Sequence, residues 1–282
     1  MRITEGARAE AEMHLCVLAS GSSGNCSVVR LGAGADAELL LIDLGLSPRR
    51  TYRLIAEQGL DPRRVRGALV THFDHDHFHA GWAAASARHW AVFVHASHER
   101  DAAAAGLRRD SVRVFDGAFW PMSGIEADPV LNAHDESGTA SFRVEGAGGS
   151  LGFATDLGSV SLGLVERLRR VDVLAIESNY CPKLQAASDR PPFLKQRIMG
   201  GSGHLSNEQA AEAVHRIEPR EHVVFLHLSR QCNHPELVGR LHEGADYAFT
   251  ISGHDRPTRW VRVGRPGVVV RAGGVAKAAA GK

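Results

Sequence analysis

Seven stretches of the chain are nearly uninterrupted apolar runs of strand length: LCVLAS (15–20), ELLLIDL (38–44), GALVTH (67–72), WAVFVHA (90–96), SLGFATD (150–156), VDVLAIES (171–178) and HVVFLHLS (222–229). Such runs predict strands. Helical patterns lie between them. One spans Ser47 to Leu60, with Ser47 as N-cap and Pro48 at the first helical position. The other spans Ser206 to Ile217, with a capping box of Ser206 and Gln209 and an apolar stripe at Ala210, Val214 and Ile217. Both helices are expected to pack on a sheet, which makes the chain α/β. Several runs end in a residue able to bind metal: His72, Asp156 and His227. Strand ends that converge on one edge are where α/β proteins place their sites, so a metal centre built from distant strand ends is expected.

The segment from Tyr180 to Gly203 breaks this rhythm. CPKLQAASDRPPFLKQRIMGGSG carries two adjacent prolines together with Lys183, Arg190, Lys195 and Arg197, and reads as a long excursion over one face, a candidate substrate-contacting lid. Its cations suit a polyanion backbone and equally suit a solvated loop. Tyr180 and Phe193 alone give little support for a stacking platform.

Hydrophobic content of 44% and charged content of 23% exclude disorder over most of the 282 residues and fit one core. The formal charge of +1 does not itself point to a polyanionic partner. Cys16, Cys26, Cys181 and Cys232 form no C-x-x-C pair and fit free thiols in a reducing compartment. No run is long enough to span a bilayer, and the first twelve residues lack the apolar region of a signal peptide, so the expected location is cytoplasmic. Residues 1–12 read as a disordered extension, with Met13 a candidate start. Residues 13–265 form the expected domain and 266–282 the C-terminal end, frayed from about 273.

The densest chemistry lies in THFDHDHFHAG, with four histidines and two aspartates between Thr71 and Gly81. A turn after a strand can aim residues two apart, such as His72 and Asp74, at one point. The adjacent pair Asp76 and His77 points elsewhere and can serve a second ion. Imidazole nitrogen and carboxylate oxygen both ligate zinc at roughly 2.0–2.2 Å. The bland alternative is a surface loop that binds metal adventitiously. His134, Asp156 and His227 follow downstream, and each alone reads as an ordinary core-edge polar group.

In this order the residues resemble the metallo-β-lactamase superfamily, whose pattern is H-x-H-x-D-H, then His, Asp and His. LASGSSGN (18–25), IDLG (42–45), ATDLG (154–158), GHLSNEQAA (203–211) and HLSRQCN (227–233) are similar to its YycJ/WalJ-type branch of DNA exonucleases, over residues 15 to 263. The resemblance implies a four-layer αβ/βα sandwich, two mixed β-sheets flanked by helices, with the metal site at the strand-end edge. It implies two divalent metal ions: one held by His72, Asp74 and His134, the other by Asp76, His77 and His227, with Asp156 between them. Asp74 stands where the family has a histidine, which makes that half of the site harder and more anionic. Zn²⁺ is the expected metal, with Mn²⁺ or Fe²⁺ as alternatives at the Asp74 half.

His204 and Asp76 are the candidate catalytic residues, since His204 resembles the His-x-Ser/Thr histidine of superfamily nucleases. Ser206 and Asn207, at the start of a helix, offer donors and a dipole suited to phosphate, although Ser206 can equally be a plain N-cap. Ser22, Ser23 and Asn25 form a polar turn expected near the site, and Asp43 is expected to anchor the ligand loop from behind. His75 and His79 are unassigned. His89, His95, His98, His215, His222, His234, His242 and His254 read as structural or exposed. The leading function is a dinuclear metal-dependent phosphodiesterase, a DNA exonuclease with nucleic acid as substrate. Its alternatives are a small-molecule hydrolase of lactone, thioester or cyclic phosphodiester, and a catalytically impaired metal- or nucleic-acid-binding module.

Overall fold

The structure, a computed structural model, describes residues 12–84, 88–134 and 136–264. Most of the expected N-terminal extension and the whole C-terminal end lie outside the described residues.

In chain order the strands are β1 (Met13–Ala19), β2 (Cys26–Leu31), β3 (Glu38–Ile42), β4 (Val65–Val70), β5 (Ala91–His95), β6 (Val112–Phe115) and β7 (Phe119–Met122). They continue with β8 (Ile125–Asn132), β9 (Thr139–Gly146), β10 (Gly149–Ala154), β11 (Val173–Glu177), β12 (His222–Leu226), β13 (Ala248–Ile251) and β14 (Val261–Val263). The helices are α1 (Pro48–Glu57), α2 (Glu99–Ala104), α3 (Leu162–Leu168), α4 (Pro182–Ala187), α5 (Pro192–Met199), α6 (Asn207–Ile217) and α7 (Pro235–Leu241).

The strands form two seven-stranded sheets, ordered β14-β1-β2-β3-β4-β5-β6 and β13-β12-β11-β10-β9-β8-β7. Both are mixed. β3 through β6 run parallel in the first, β10 through β13 run parallel in the second, and the remaining pairs are antiparallel. The inner faces meet in one core, where Leu40 and Ile42 of β3 face Phe142, Val173 and Leu226 of the other sheet. One residue over in register, Leu39 and Leu41 point outward to Leu54 and Ile55 of α1 and Ala102 of α2. Outside the second sheet, Ile176 and Phe225 pack on Leu164 of α3, Val214 of α6 and Val238 of α7. The inner parallel strands, such as β3, β4, β11 and β12, are covered on both faces, which is why their sequences read as unbroken apolar runs.

The seven expected strands are all present, as is β2 after the polar turn at Ser22–Asn25, but β6–β9, β13 and β14 were not anticipated. β8 shows why: IEADPVLN alternates between buried and partly exposed positions and carries Glu126, Asp128 and Pro129, so it lacks the apolar run that marks a covered strand. The expected excursion between Tyr180 and Gly203 is not a loop throughout but contains α4 and α5, over a small cluster of Tyr180, Ile198 and Cys232. Its prolines start these helices. Pro182 and Pro192 occupy first-turn positions, where a missing N–H costs nothing. The capping box of α6 is formed as expected. Among the described residues, no helix is long and apolar enough to cross a membrane.

Candidate metal centre

The parallel strands of both sheets end on one edge, and the chemistry-bearing residues follow those ends: Asp43 after β3, His72 to His77 after β4, Asp156 after β10, Glu177 closing β11 and His227 after β12. Asp43, Asp156 and His227 take left-handed backbone angles, with φ of 63°, 53° and 56°. A non-glycine residue in that region costs about 1 kcal/mol or more, and such strain gathers where a side chain must be aimed.

Hydrogen bonds fix how the imidazoles face. The Thr71 hydroxyl donates to Asp43 Oδ1 at 2.9 Å, so its oxygen accepts from His72 Nδ1, 3.0 Å away. The lone pair of His72 is therefore on Nε2, which is buried and has no hydrogen-bond partner among the described residues. Leaving a buried acceptor unfilled costs about 1–3 kcal/mol, and a cation removes that cost. His77 Nδ1 donates to Asp43 Oδ2 at 2.7 Å and His134 Nδ1 to the Gly203 oxygen at 3.0 Å, which leaves both Nε2 atoms for the interior. The Asn179 amide holds His227, 3.1 Å from Nδ1, and His227 Nε2 faces Asp76 Oδ2 at 3.2 Å. Outer acceptors like those of His72, His77 and His134 orient metal-ligating histidines.

The potential ligand atoms of His72, Asp74 and His134 lie within 4.8 Å of one another, as do those of Asp76, His77 and His227. Asp156 joins a third such group with His72 and His77, and its Oδ2 is 2.9 Å from His77 Nε2. The donor set, imidazole with carboxylate, suits Zn²⁺, Mn²⁺ or Fe²⁺. Without cations the cluster holds protons. Burial disfavours the charged form of His77, yet the carboxylates of Asp156 and Asp43 more than reverse this and hold it well above its usual range. Burial likewise opposes ionisation of Asp156, but the neighbouring His227 and His77 hold its carboxyl well below the usual range. His134 is pushed up to about 9 because Asp74, Asp156 and Glu177 outweigh its burial.

Metal must displace these protons. Apparent Zn²⁺ affinity is therefore expected to rise about tenfold or more per pH unit below the His134 value. Chelator-competition titrations at stepped pH measure this, and a flat profile between pH 6 and about 9 would contradict it.

Several predicted contacts sit elsewhere. Asn25 is buried, and its amide nitrogen donates toward Asp76 Oδ2 (3.3 Å) and the Asp76 backbone oxygen (3.2 Å), so it braces the ligand loop and offers nothing to an anion. Ser22 lines the cavity over the cluster, whereas Ser23 does not. Ser206 and Asn207 are also buried away from it. The first-turn donors expected to meet phosphate are taken: Gln209 N by Ser206 Oγ, Ser206 N by Gln209 Oε1 and Asn207 N by the Tyr180 oxygen. The capping box that makes α6 start here is what closes it to a ligand. His75 is exposed and lines the cavity, and His79 caps a short turn through Gly81 N.

Gly45 of IDLG has a steric role. A Cβ there would overlap the backbone oxygen of Asp76 and crowd Asn25 N, which itself donates to that oxygen at 2.7 Å. Gly45→Ala is expected to cost about 1–3 kcal/mol and to lower bound metal, because the Asp76 loop has to move. Thermal denaturation with elemental analysis reads both; native metal content in the variant would refute it.

Glu177 was not anticipated. Fully buried, it accepts from Leu157 N (2.5 Å), Leu205 N (3.1 Å) and His204 Nδ1 (3.1 Å). His204 thus stands over the cluster, 3.4 Å from Asp156 Oδ1, with Nε2 as its remaining nitrogen. The cavity has a volume of about 380 Å³ and is lined by Asp74, Asp76, His134, Asp156, His204 and His227, with Arg190 and Arg197 from the α4–α5 segment.

The sequence pattern of the beta-lactamase superfamily domain matches residues 39–228, more than half of the chain. The chain is similar to exodeoxyribonuclease YycJ of Bacillus anthracis, 29% identical over 233 residues that cover 80% of this chain and 86% of that one. It is equally similar to exodeoxyribonuclease WalJ of Streptococcus pneumoniae, 29% identical over 231 residues, 79% of this chain and 84% of that one. Among solved structures, a diphosphatase of the PhnP family superposes with a TM-score of 0.63 at 17% identity, over 90% of this chain and 99% of that one. The short form of human tRNase Z superposes at 0.59 and 14% identity, over 87% and 98%. The two mixed sheets, the strand-end cluster and these matches agree: the chain belongs to the beta-lactamase superfamily, on its YycJ/WalJ-type branch.

Proposed function

We propose that this protein is a dinuclear metal-dependent phosphodiesterase that degrades DNA as an exonuclease. The observation that carries the reading is the pair of ligand groups, His72/Asp74/His134 and Asp76/His77/His227, with Asp156 between them at the floor of one cavity. Two relatives named exodeoxyribonuclease support the choice of substrate. Zn²⁺ is the proposed metal, with Mn²⁺ or Fe²⁺ as alternatives at the Asp74 half, residues 13–265 the proposed catalytic domain and the cytoplasm its proposed location.

Two divalent ions held by these residues would neutralise phosphoryl charge and lower the pKa of water. The chain's own groups do the rest. Burial pushes the Asp76 carboxyl up, but the bond from His227 and the charge on His77 leave it well below its usual range, so it is anionic and available to orient water. Glu177 fixes the His204 ring through Nδ1, which leaves Nε2 as the nitrogen that, in the imidazolium form, would give its proton to the departing oxygen. Arg190 and Arg197 at the cavity edge favour an anionic substrate over a lactone or thioester.

Purified protein loaded with each metal and tested on 5'-labelled single- and double-stranded DNA, beside lactone, thioester and cyclic phosphodiester substrates, decides the matter. Processive shortening of DNA is expected. Ester turnover with no nucleolysis at any salt concentration would sink the nuclease reading.

A further inference from the structure

Arg190 has an unusual setting for a cation on a lid. Its Nε donates to Gln231 Oε1 (3.1 Å), one terminal nitrogen to Gln185 Oε1 (3.0 Å) and the other to Ser229 Oγ (3.1 Å). All three partners are neutral, and among the described residues no carboxylate forms an ion pair with it. The guanidinium is therefore held in one place with its charge uncompensated and its remaining N–H donors unspent. It lines the same cavity as the ligand cluster.

Its position is also tied to the cluster. Ser229 and Gln231 belong to the segment that begins with His227 after β12. Ser229 N donates to the Asn179 oxygen at 2.8 Å, and the Asn179 amide holds His227. Arg190 and His227 are thus braced by one short hydrogen-bonded segment. Immobilising a flexible cation before substrate arrives lowers the entropic cost of using it.

We propose that Arg190 grips the phosphate one nucleotide away from the scissile bond and so sets a requirement for a strand bearing that second phosphate. The proposal rests on the phosphodiesterase reading above. A planar fork is suited to a phosphate, and a surface staple would not need the charge.

Three dinucleotides, d(TpT), d(pTpT) and d(TpTp), share one scissile diester and differ only in a terminal phosphate. Wild-type protein is expected to prefer one phosphorylated form in kcat/KM by about tenfold or more, the worth of one charged hydrogen-bonded contact. Arg190→Gln should erase that preference, lowering kcat/KM on the favoured phosphorylated dinucleotide by about tenfold or more and on d(TpT) by clearly less. Arg190→Lys, which keeps charge without the fork, should retain part of it; this variant carries the test if the glutamine form does not fold. Equal wild-type rates on all three, a preference that survives Arg190→Gln, or a loss as large on d(TpT) would overturn the proposal while leaving nucleotide cleavage intact. Turnover of bis(p-nitrophenyl) phosphate with no cleavage of any dinucleotide or DNA would instead overturn the nuclease reading, and this proposal with it.

Discussion

Asp156→Asn is expected to lower hydrolysis by about three orders of magnitude or more, roughly 4 kcal/mol of transition-state stabilisation, and to leave no more than one metal per chain. Asp156 is 2% exposed, sits between both ligand groups and reaches His77 at 2.9 Å and His227 at 3.5 Å. Asparagine keeps the shape and one oxygen but removes the charge that makes two adjacent cations tolerable. The metal-free proteins offer a separate check. Asp156 is depressed in the folded state, so its contribution to stability is present above the unfolded carboxyl value and lost as pH falls. His77 is raised, so its contribution is full below the unfolded imidazole value and lost as pH rises. The variant should therefore lag wild type most between about pH 4 and 6.5 in chelator, with the gap closing at alkaline pH. Elemental analysis, phosphodiester assays and thermal denaturation at stepped pH measure the three effects. Two bound metals with native turnover would remove Asp156 from the centre.

The inner parallel strands β3, β4, β11 and β12 were legible in the sequence because both of their faces are covered, whereas the parallel edge strands β6 and β13, largely exposed, were not. Leu39, Leu40, Leu41 and Ile42 cannot alternate with polar residues when helices lie on one side and a sheet on the other. Antiparallel β8 was not legible either, since it mixes Glu126, Asp128 and Pro129 with buried Ile125 and Ala127 and so resembles loop text. The ligand groups were legible for another reason: His72, Asp76 and His77 stand in one short motif, and the order of His134, Asp156 and His227 behind it matches a superfamily pattern. Glu177 escaped because a lone glutamate closing VDVLAIES reads as the first solvated residue after a strand. The rule that strand ends carry the chemistry, applied to His72, Asp156 and His227, covers Glu177 equally. Asn25 and Ser206 were placed near the site but given the wrong partners. Sequence shows that a polar side chain is available, while the geometry of the turn decides whether its donors reach a substrate or a neighbouring backbone.

Asp74→His is expected to change metal preference more than fold. Asp74 is the exposed member of its group: its side chain is 43% exposed, while those of His72 and His134 are 1% and 4% exposed, and its Oδ2 lies 3.9 Å from each imidazole Nε2. A site with two buried imidazoles and one half-solvated carboxylate is harder than one with three imidazoles, and the carboxylate's charge offsets that of a cation such as Mn²⁺. The change to histidine makes the group neutral and softer, so Zn²⁺ affinity should rise by about ten- to a hundredfold relative to Mn²⁺. Asp74 also helps to hold His134 up at about 9, so its loss should lower that value and let Zn²⁺ bind at lower pH. Paired Zn²⁺ and Mn²⁺ competition titrations on both proteins, with phosphodiester turnover in each metal, read the shift. A wild-type protein that binds two ions and turns over with Mn²⁺, beside a variant that prefers Zn²⁺, identifies Asp74 as a selectivity device. A wild-type protein with one ion and no turnover, rescued in both respects by histidine, would show instead that this chain's centre is impaired at that residue.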